Sequence, residues 1–295
     1  MKLFVTGICG RLGRAVAIEA AGQGMEVVGL DVVDWPDDTA CPGALDLHAG
    51  SCEDQSLVAS LLSGCDAMIH TAGPHGGHVA TMDLEGFLEG NVVVGARLLE
   101  TALRVGVRSV NFSSTMEILG GREWTSSGAA RLDETSRPQT DSAYSLSRLL
   151  TEKLVREFSR QHDLAASCIR YSGFGYIPDE ALGPRLLART ASPRDVARAT
   201  ILAATNFDLR GEVFVVAPEA PHTVEDMVDA LSDPHAVLEK YYPGASDVLA
   251  ATGQELAPTN FWPMVDTRRA RVLLGWRAEF TFEKWLIDHG WTRPD

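Results

Sequence analysis

The chain has 295 residues, of which 45% are hydrophobic and 22% charged, a composition typical of a globular protein with a large core. Its formal net charge of -14 argues against electrostatic binding to nucleic acid or to an anionic membrane. The five cysteines lack the spacing of a disulfide framework or a zinc site, and no apolar stretch approaches the roughly 20 residues of a membrane span. We therefore expect a cytoplasmic chain with reduced thiols and no metal.

Apolar runs alternate with amphipathic stretches along the first 170 residues. Strands are predicted at 3–5, 26–30, 67–70, 108–112 and 165–171, and helices at 11–21, 56–62, 82–105 and 141–161. Strands separated by helices of this length belong to repeated βαβ units, which form parallel sheets. The sequence therefore predicts an α/β fold, with a Rossmann-type doubly wound parallel sheet over residues 1–170.

The regular alternation ends after residue 170. A further helix is predicted at 195–205, with Ser192 as its N-cap and Pro193 at its first position. Thr223 opens another helix with the spacing of a capping box. Because this part holds no complete βαβ set, we expect 171–295 to form mainly a small C-terminal substrate-binding lobe, with segments that return to the first domain.

Three glycines stand between the first predicted strand and the first predicted helix, at Gly7, Gly10 and Gly13. This spacing permits a tight turn, the approach of backbone N–H groups to a pyrophosphate, and close packing of the helix on the strand. The positive end of the helix, at Arg11 and Leu12, would face the phosphates. The segment therefore predicts a dinucleotide site, although an ordinary tight turn is the alternative.

Asp31 ends the next predicted strand, 18 residues after Gly13. A carboxylate there can accept hydrogen bonds from both hydroxyls of an adenosine ribose, and it repels a 2′-phosphate. We therefore expect NAD rather than NADP, the alternative for Asp31 being a strand-end cap. Asp46 and Leu47 are candidates to flank the adenine, although an ordinary loop explains Asp46 equally well.

Tyr144 and Arg148 are one helical turn apart in the predicted helix 141–161 and share one face of it. A fixed cation about 5 Å away stabilises a phenolate by roughly 3 kcal/mol at an effective dielectric of 20. Such a tyrosine is a candidate general base. On spacing alone, a packed tyrosine ring beside a solvated arginine is the commoner arrangement.

Hydroxyl side chains follow the predicted strand 108–112, at Ser113, Ser114 and Thr115. Open α/β sheets bind ligands beyond the carboxyl ends of their strands, so a hydroxyl there can contact a substrate alcohol or carbonyl. Asn91 is a polar residue in an apolar stretch of the predicted helix 82–105. The alternatives are strand-end caps for the hydroxyls and an exposed helix position for Asn91.

Together these features resemble the extended short-chain dehydrogenase/reductase family, the NAD-dependent epimerase/dehydratase group. The resemblance covers nearly the whole chain, and its segments come in the family's order. They are the glycine loop 6–13, the strand and turn 66–73, the helix 91–100, the strand end 113–120, Tyr144-x-x-x-Arg148-x-x-x-Glu152, and the weaker landmarks 169–170, 195–197 and 274–276.

The resemblance implies that Tyr144 is the acid/base, that Thr115 polarises the substrate C–O group, and that Asn91 supports Arg148 through water. It implies a homodimer that pairs through the two long helices. The implied cofactor contacts are Gly7, Gly10, Arg11, Leu12, Gly13, Asp31, Asp46, Leu47, Thr71, Ala72, Gly73, Asn91, Tyr144 and Arg148. The implied substrate contacts are His75, Ser114, Thr115, Glu117 and Tyr171.

Three residues depart from the family's pattern. Arg148 replaces a lysine, and arginine is longer, planar and always charged. The protein is therefore a working enzyme with an adapted site, an enzyme with slow turnover, or a protein that only binds NAD. Met116 stands where dehydratases have an acid, which disfavours dehydration. Gly173 replaces the asparagine of many nucleotide-sugar epimerases, which disfavours recognition of a substrate with a nucleotide diphosphate group.

Further histidines and arginines are weaker candidates. His70, His75 and His78 have a conceivable metal spacing, but the resemblance favours substrate contact for the last two, with a solvated loop as the alternative. Four arginines of the C-terminal lobe could bind an anionic substrate or simply face solvent, and they are Arg185, Arg189, Arg268 and Arg269.

The sequence thus predicts an NAD-dependent oxidoreductase or epimerase that acts on a hydroxyl or ketone of a sugar, sugar nucleotide or sugar-like substrate. The alternative, motivated by Arg148, is a non-catalytic NAD-binding module that senses redox state or scaffolds a partner.

Overall fold

The computed structural model of the protein describes residues 1–120, 129–188, 190–219 and 221–294. Its strands are β1 Lys2–Thr6, β2 Glu26–Asp31, β3 Leu45–Ala49, β4 Ala67–His70, β5 Ser109–Thr115, β6 Arg131–Leu132, β7 Ala165–Tyr171, β8 Gly173–Phe174, β9 Thr190–Ala191, β10 Arg210–Val216 and β11 Met264–Val265. Its α-helices are α1 Arg11–Gly22, α2 Gln55–Leu62, α3 Leu84–Phe87, α4 Val94–Val105, α5 Ala143–His162, α6 Asp179–Leu182, α7 Pro193–Ala204, α8 Val224–Asp229, α9 Pro234–Tyr241, α10 Ala245–Ala251, α11 Arg268–Leu274 and α12 Phe282–Asp288.

A seven-stranded sheet has the strand order β10-β7-β5-β4-β1-β2-β3, and the five neighbouring pairs from β7 to β3 are parallel. The chain moves outward from β1 to β3, then returns to β4 and moves outward on the other side. The order therefore reverses between β1 and β4, which is the switch point where such sheets bind ligands. The predicted doubly wound α/β fold is confirmed.

The predicted strands and helices of the first 170 residues are present, with two informative differences. The strand predicted at 108–112 continues to Thr115, so the hydroxyl residues lie within β5. The edge strand β3 was not predicted, because most of its residues are exposed and it lacks an apolar run. Asp46 therefore lies in a strand that pairs with β2, and the loop assignment is wrong.

The chain divides into two compact units. The first comprises 1–120, 138–171 and 196–214, and the second comprises 172–195, 215–295 and the described part of 121–137. The core of the first unit contains Phe4, Leu98, Leu99 and Phe112, all fully buried. No helix within the described ranges is long and apolar enough to cross a membrane.

The second unit has an aromatic core built around Trp262 and Trp285, which are 2% and 0% exposed. Trp276 is fully buried as well, and its indole N–H donates to the Asp195 carbonyl at 2.8 Å. The tryptophans of this unit thus pack its interior. The predicted caps are also present, because Ser192 Oγ accepts from the Asp195 backbone N–H at 3.0 Å and Thr223 forms a capping box.

A buried ion pair fixes helix α5 against strands β5 and β7. Arg170 of β7 donates to both carboxylate oxygens of Glu152 of α5, at 2.9 and 2.8 Å. Ser114 of β5 donates to the same carboxylate at 2.6 Å. Only 4% of Glu152 and 4% of Arg170 is exposed, so both charges depend on this contact.

We expect Glu152→Gln to lower the free energy of unfolding by about 3–5 kcal/mol, because it leaves the buried charge of Arg170 without its carboxylate. Denaturant unfolding measures the loss. Glu157→Gln on the same helix is the matched control, since its pair with Arg160 is exposed and is worth at most about 1 kcal/mol. Equal effects of the two variants would contradict the structural role of the pair.

Candidate functional site

The glycine loop lies at the switch point and is too crowded for larger residues. Gly7 has a φ of +71°, and a Cβ there would lie 2.5 Å from the Ala72 backbone nitrogen. A Cβ at Gly13 would overlap the Gly7 carbonyl oxygen. The glycines therefore hold the end of β1, the turn after β4 and the start of α1 in close contact, which argues against an ordinary tight turn.

Helix α1 begins without a side-chain cap. Gly10 is its N-cap residue, and no acidic side chain stands in its first turn. Its first backbone N–H groups, beginning at Arg11 and Leu12, have no acceptor within the helix, and the helix dipole adds partial positive charge there. The Leu12 side chain is buried in the core, so its backbone is the part suited to a ligand. This is the arrangement that a pyrophosphate requires.

Asp31 joins the glycine loop to the end of β2. One carboxylate oxygen accepts from the Cys9 backbone N–H at 2.8 Å, and the other accepts from the Val32 and Val33 N–H groups at 2.8 and 3.2 Å. A carboxylate offers about four acceptor positions, so one remains for a hydroxyl. Burial, with Asp31 adding to it, raises the pKa of the Cys9 thiol to about 11.

The other predicted adenosine contacts lie on the exposed edge strand. Asp46 Oδ1 lies 3.1 Å from His48 Nε2, and the Leu47 side chain is 38% exposed. On the opposite side of the loop, the Thr71 hydroxyl donates to the Thr6 and Gly7 carbonyl oxygens, at 2.8 and 3.0 Å. Thr71 therefore braces the glycine loop with its side chain.

Tyr144 and Arg148 lie in the first turns of α5, and both are buried, with 8% and 3% exposed. Arg148 donates to the Ser113 carbonyl at 3.2 Å and to the Pro74 carbonyl at 3.4 Å. Its guanidinium carbon lies 5.6 Å from the centre of the Tyr144 ring. The arrangement of a tyrosine beside a solvated arginine is therefore wrong.

The charge of Arg148 has no counter-ion in the part of the chain that the structure describes, since the guanidinium bonds only to backbone carbonyls there. The Tyr144 hydroxyl likewise has no hydrogen-bond partner among the described residues. A buried, permanent positive charge thus stands next to an available phenol.

Asn91 is fully buried inside a π-helical turn, Leu88–Val93, that connects α3 to α4. Its amide nitrogen donates to Ser147 Oγ at 2.9 Å and to the Pro74 carbonyl at 3.1 Å. Asn91 and Arg148 therefore converge on the same carbonyl oxygen, and the exposed helix position is excluded. A π turn widens the helix locally and often occurs at functional sites, but no sequence signal indicated one here.

Thr115 and Glu117 lie where β5 ends. The Thr115 hydroxyl oxygen accepts from the Glu117 backbone N–H at 3.2 Å, and its own hydrogen stays available. The Glu117 and Tyr144 side chains both approach the 3-10 turn Gly76–His78. A Cβ placed at Gly76 would lie 3.4 Å from Glu117 Oε1 and 3.8 Å from Tyr144 Cδ1. Burial, with the nearby charge of Asp141, raises the pKa of Glu117.

Two predicted substrate contacts use their hydroxyls inside the protein. Ser114 donates to Glu152, and the Tyr171 hydroxyl lies 2.8 Å from Thr200 Oγ1. Burial also raises the pKa of Tyr171 well above its ordinary range. Both hydroxyl groups are thus engaged with side chains of α5 and α7, and the assignment of Ser114 and Tyr171 as substrate contacts stays a prediction.

The three histidines have different environments. His70 is fully buried, its Nδ1 lies 2.7 Å from Thr6 Oγ1, and burial together with Arg148 lowers its pKa to about 3. His75 and His78 form a 3-10 turn, in which His75 Nδ1 accepts from the Gly77 N–H at 3.0 Å. Burial lowers the pKa of His75, with His78 contributing. No group of three possible metal ligands occurs among the described residues.

Two of the four candidate arginines have different surroundings in the second unit. Arg268 lies 2.7 Å from the Asp266 carboxylate, and Arg185 lines a cleft of the second unit. Arg189 lies outside the described residues. Sequence reasoning did not single out Pro74, Ser147 or the ion-pair role of Glu152, since backbone carbonyls and buried partners leave no local pattern.

Known proteins resemble this chain in sequence over somewhat more than half of its length. The profile of the NAD dependent epimerase/dehydratase family matches residues 3–177. A UDP-glucose 4-epimerase of Azospirillum brasilense is 27% identical over 172 residues, which are 58% of this chain and 48% of that protein. An NAD-dependent glucose-6-phosphate dehydrogenase of Haloferax volcanii is 24% identical over 57% of this chain and 66% of its own length. The chain thus spans about half to two thirds of these curated relatives.

Solved structures resemble the whole chain in fold. A short-chain dehydrogenase/reductase superfamily protein from Agrobacterium tumefaciens with bound NAD has a TM-score of 0.72 at 22% identity, over 98% of this chain and 96% of that chain. MoeE5 in complex with UDP-glucose and NAD has a TM-score of 0.71 at 21% identity, over 97% and 96%. A mutated uronate dehydrogenase has a TM-score of 0.68 at 22% identity, over 100% and 88%. With the profile covering more than half of its residues, the chain belongs to the NAD dependent epimerase/dehydratase family, whose cofactor is NAD.

Proposed function

We propose that the protein is an NAD-dependent oxidoreductase or epimerase, which acts on a hydroxyl or ketone of a sugar, sugar nucleotide or sugar-like substrate. The observation that carries this proposal is the buried Arg148 guanidinium, which lacks a carboxylate partner among the described residues and lies beside the Tyr144 ring. In this proposal Tyr144 is the acid/base, and the nearby cation offsets the negative charge that develops on the reacting oxygen atoms while the proton moves.

The residues of the first unit fit NAD. The crowded glycines and the uncapped α1 suit the pyrophosphate, and Asp31 suits the adenosine ribose. We assign the remaining contacts to side chains and backbone on both sides of the switch point. They are Asp46, Leu47, Thr71, Ala72, Gly73, Asn91, Tyr144 and Arg148. When bound, NAD supplies a nicotinamide ring that accepts or returns a hydride.

In this proposal, Tyr144 Oη takes the proton of the substrate hydroxyl, and Arg148 stabilises the negative charge of the phenolate that accepts it. The Thr115 hydroxyl donates a hydrogen bond to the substrate oxygen, while the Glu117 N–H fixes the orientation of Thr115. Asn91 keeps the Pro74 carbonyl in place, which in turn orients the guanidinium. We retain His75 and Glu117 as substrate contacts at the turn beside Tyr144.

A non-catalytic NAD-binding module is the second candidate. The observation that favours it is the replacement of the family's lysine by Arg148, whose guanidinium is held by two carbonyls. A guanidinium keeps its proton at all physiological pH values, so no proton can leave through it.

We also propose a cytoplasmic homodimer that pairs through α4 and α5. We propose that the main role of 171–295, which includes most of the second unit, is to bind the substrate.

We expect Asp31→Asn to raise the affinity for NADP relative to NAD by at least about tenfold, because it removes the charge that repels a 2′-phosphate. Asparagine keeps an acceptor for the Cys9 N–H, so the loop should stay in place. Titration of both cofactors into the protein measures the ratio. Asp37→Ala, in the exposed segment that follows β2, is the control and should leave the ratio unchanged. An unaltered ratio in Asp31→Asn would refute the assignment.

We expect Tyr144→Phe to lower kcat by about 10²–10⁴-fold and to change the Kd of NAD less than about threefold, because only the proton-transfer group is lost. NADH absorbance and product analysis, with a panel of sugars, sugar nucleotides and cyclitols, measure turnover. Tyr241→Phe removes a hydroxyl that contacts Asp226 in the second unit and should leave kcat unchanged. The binding-module candidate predicts no turnover with any member of the panel.

We expect Arg148→Lys to lower kcat by about tenfold or more, because a single ammonium group cannot reproduce both bonds of the guanidinium fork. Steady-state kinetics and NAD titration on the variant measure the change. A lysine variant that gains activity where the natural protein has none would instead support the binding module.

A further inference from the structure

A cleft of about 630 Å³ lies within the second unit. Its walls come from two segments, 173–190 and 253–260, and include Phe174, Arg185, Gln254, Glu255, Thr259 and Asn260. The volume is in the range of small-molecule sites. Neither the family profile nor the resemblance in sequence assigns a ligand to these residues.

Two charged side chains line the cleft, and both are exposed. Arg185 and Glu255 are the ionisable residues of its described lining, and neither forms a hydrogen bond or an ion pair with another described residue. Arginine binds carboxylate or phosphate oxygens through two parallel hydrogen bonds. An available guanidinium at a concave surface is therefore suited to one acidic group of a ligand.

The remaining polar groups suit hydroxyls. Gln254 and Thr259 make no hydrogen bond with their side chains among the described residues, so both can donate and accept. The Asn260 oxygen accepts from the Ala257 N–H at 2.8 Å, and its amide hydrogens remain as donors. Glu255 adds strong acceptors, and Phe174 adds an apolar surface. Such a mixture of donors, acceptors and one aromatic ring matches a polyhydroxylated ring.

We propose that this cleft binds the substrate as a monosaccharide that carries one carboxylate group, rather than as a nucleotide-diphosphate sugar. This proposal rests on the proposed function and names its substrate class. The described lining carries one positive and one negative charge, so its net charge is zero. A diphosphate brings two negative charges, of which Arg185 can neutralise one while Glu255 repels the other. The cleft is large enough for either ligand, and charge decides between them.

Isothermal titration of the full chain with Tyr144→Phe, saturated with NAD, measures binding without turnover. The probes are D-galacturonate, D-glucose 6-phosphate, D-glucose and UDP-glucose. We expect D-galacturonate, with its single negative charge, to bind at least about tenfold more tightly than glucose, glucose 6-phosphate and UDP-glucose, because both phosphorylated ligands bring close to two negative charges at pH 7. Tighter binding of glucose 6-phosphate overturns the proposal. The first two probes distinguish a carboxylate from a phosphate. Tighter binding of UDP-glucose, or equal binding of acidic and neutral sugars, overturns the proposal.

Variants of Arg185 test whether the acidic sugar binds in this cleft. Arg185→Met should weaken binding of the acidic sugar at least about tenfold, and Arg185→Lys should lose less because it keeps the charge. Arg277→Met, an exposed arginine of the same unit outside the cleft, is the control and should have no effect. An acidic sugar whose binding is insensitive to Arg185 overturns the proposal.

Turnover separates this proposal from the proposed function. Arg185-dependent binding of an acidic sugar that yields no product with the natural Tyr144 rejects the enzymatic function and keeps the cleft assignment. Turnover of an acidic sugar that is unchanged by Arg185→Met rejects the cleft assignment and keeps the enzymatic function.

Discussion

The guanidinium of Arg148, held by the carbonyls of Ser113 and Pro74, is the contact on which the candidate site depends. Burying a charge costs several kcal/mol unless polar groups replace its water shell. Two carbonyl oxygens supply part of that replacement, but they carry only partial negative charge. The site therefore retains a positive charge beside the Tyr144 ring, and in the proposed function this charge offsets the negative charge that develops during the reaction.

Three parts of the chain meet around this guanidinium, and they are the end of β5 at Ser113, the turn after β4 at Pro74, and the π-helical turn at Asn91. Asn91, from the π-helical turn, bonds the same Pro74 carbonyl as Arg148. Glu152, one turn further along α5, is committed to Arg170, so it cannot neutralise Arg148. The pair of Glu152 and Arg170 also fixes α5 against the sheet. In the proposed function, stability and reactivity are thus linked, because the carboxylate that anchors the helix is committed to Arg170 and leaves the charge of Arg148 available.

Much of the first unit could be predicted from the sequence because its signals are local. The alternation of buried strands with amphipathic helices indicates a parallel sheet, and the three glycines between β1 and α1 indicate the site at its edge. The edge strand β3 escaped prediction because only tertiary pairing with β2 makes it a strand. The second unit was less predictable, since its short helices and strands derive their stability from an aromatic core assembled from distant segments.

The sequence predicted which residue types form the candidate site better than it predicted how their side chains are oriented. Tyr144 and Arg148 follow from a helical spacing, but their burial follows from packing that the spacing does not encode. Ser114 and Thr115 are neighbours with similar side chains, yet alternation along β5 directs the first to Glu152 and leaves the second at the strand end. The resemblance implied a substrate contact for both and the catalytic role for Thr115 alone, and the structure adds that Ser114 has a buried carboxylate partner.

Asp31 has a consequence for redesign of the cofactor preference. Its carboxylate holds the Cys9 backbone and thereby shapes the glycine loop, while the same group is the proposed discriminator at the adenosine ribose. Selectivity and loop architecture are therefore encoded by one side chain. An engineer who wants a phosphorylated cofactor must supply a neutral acceptor for the Cys9 amide before adding any basic residue, because a bare deletion at position 31 would change the shape of the turn together with its charge.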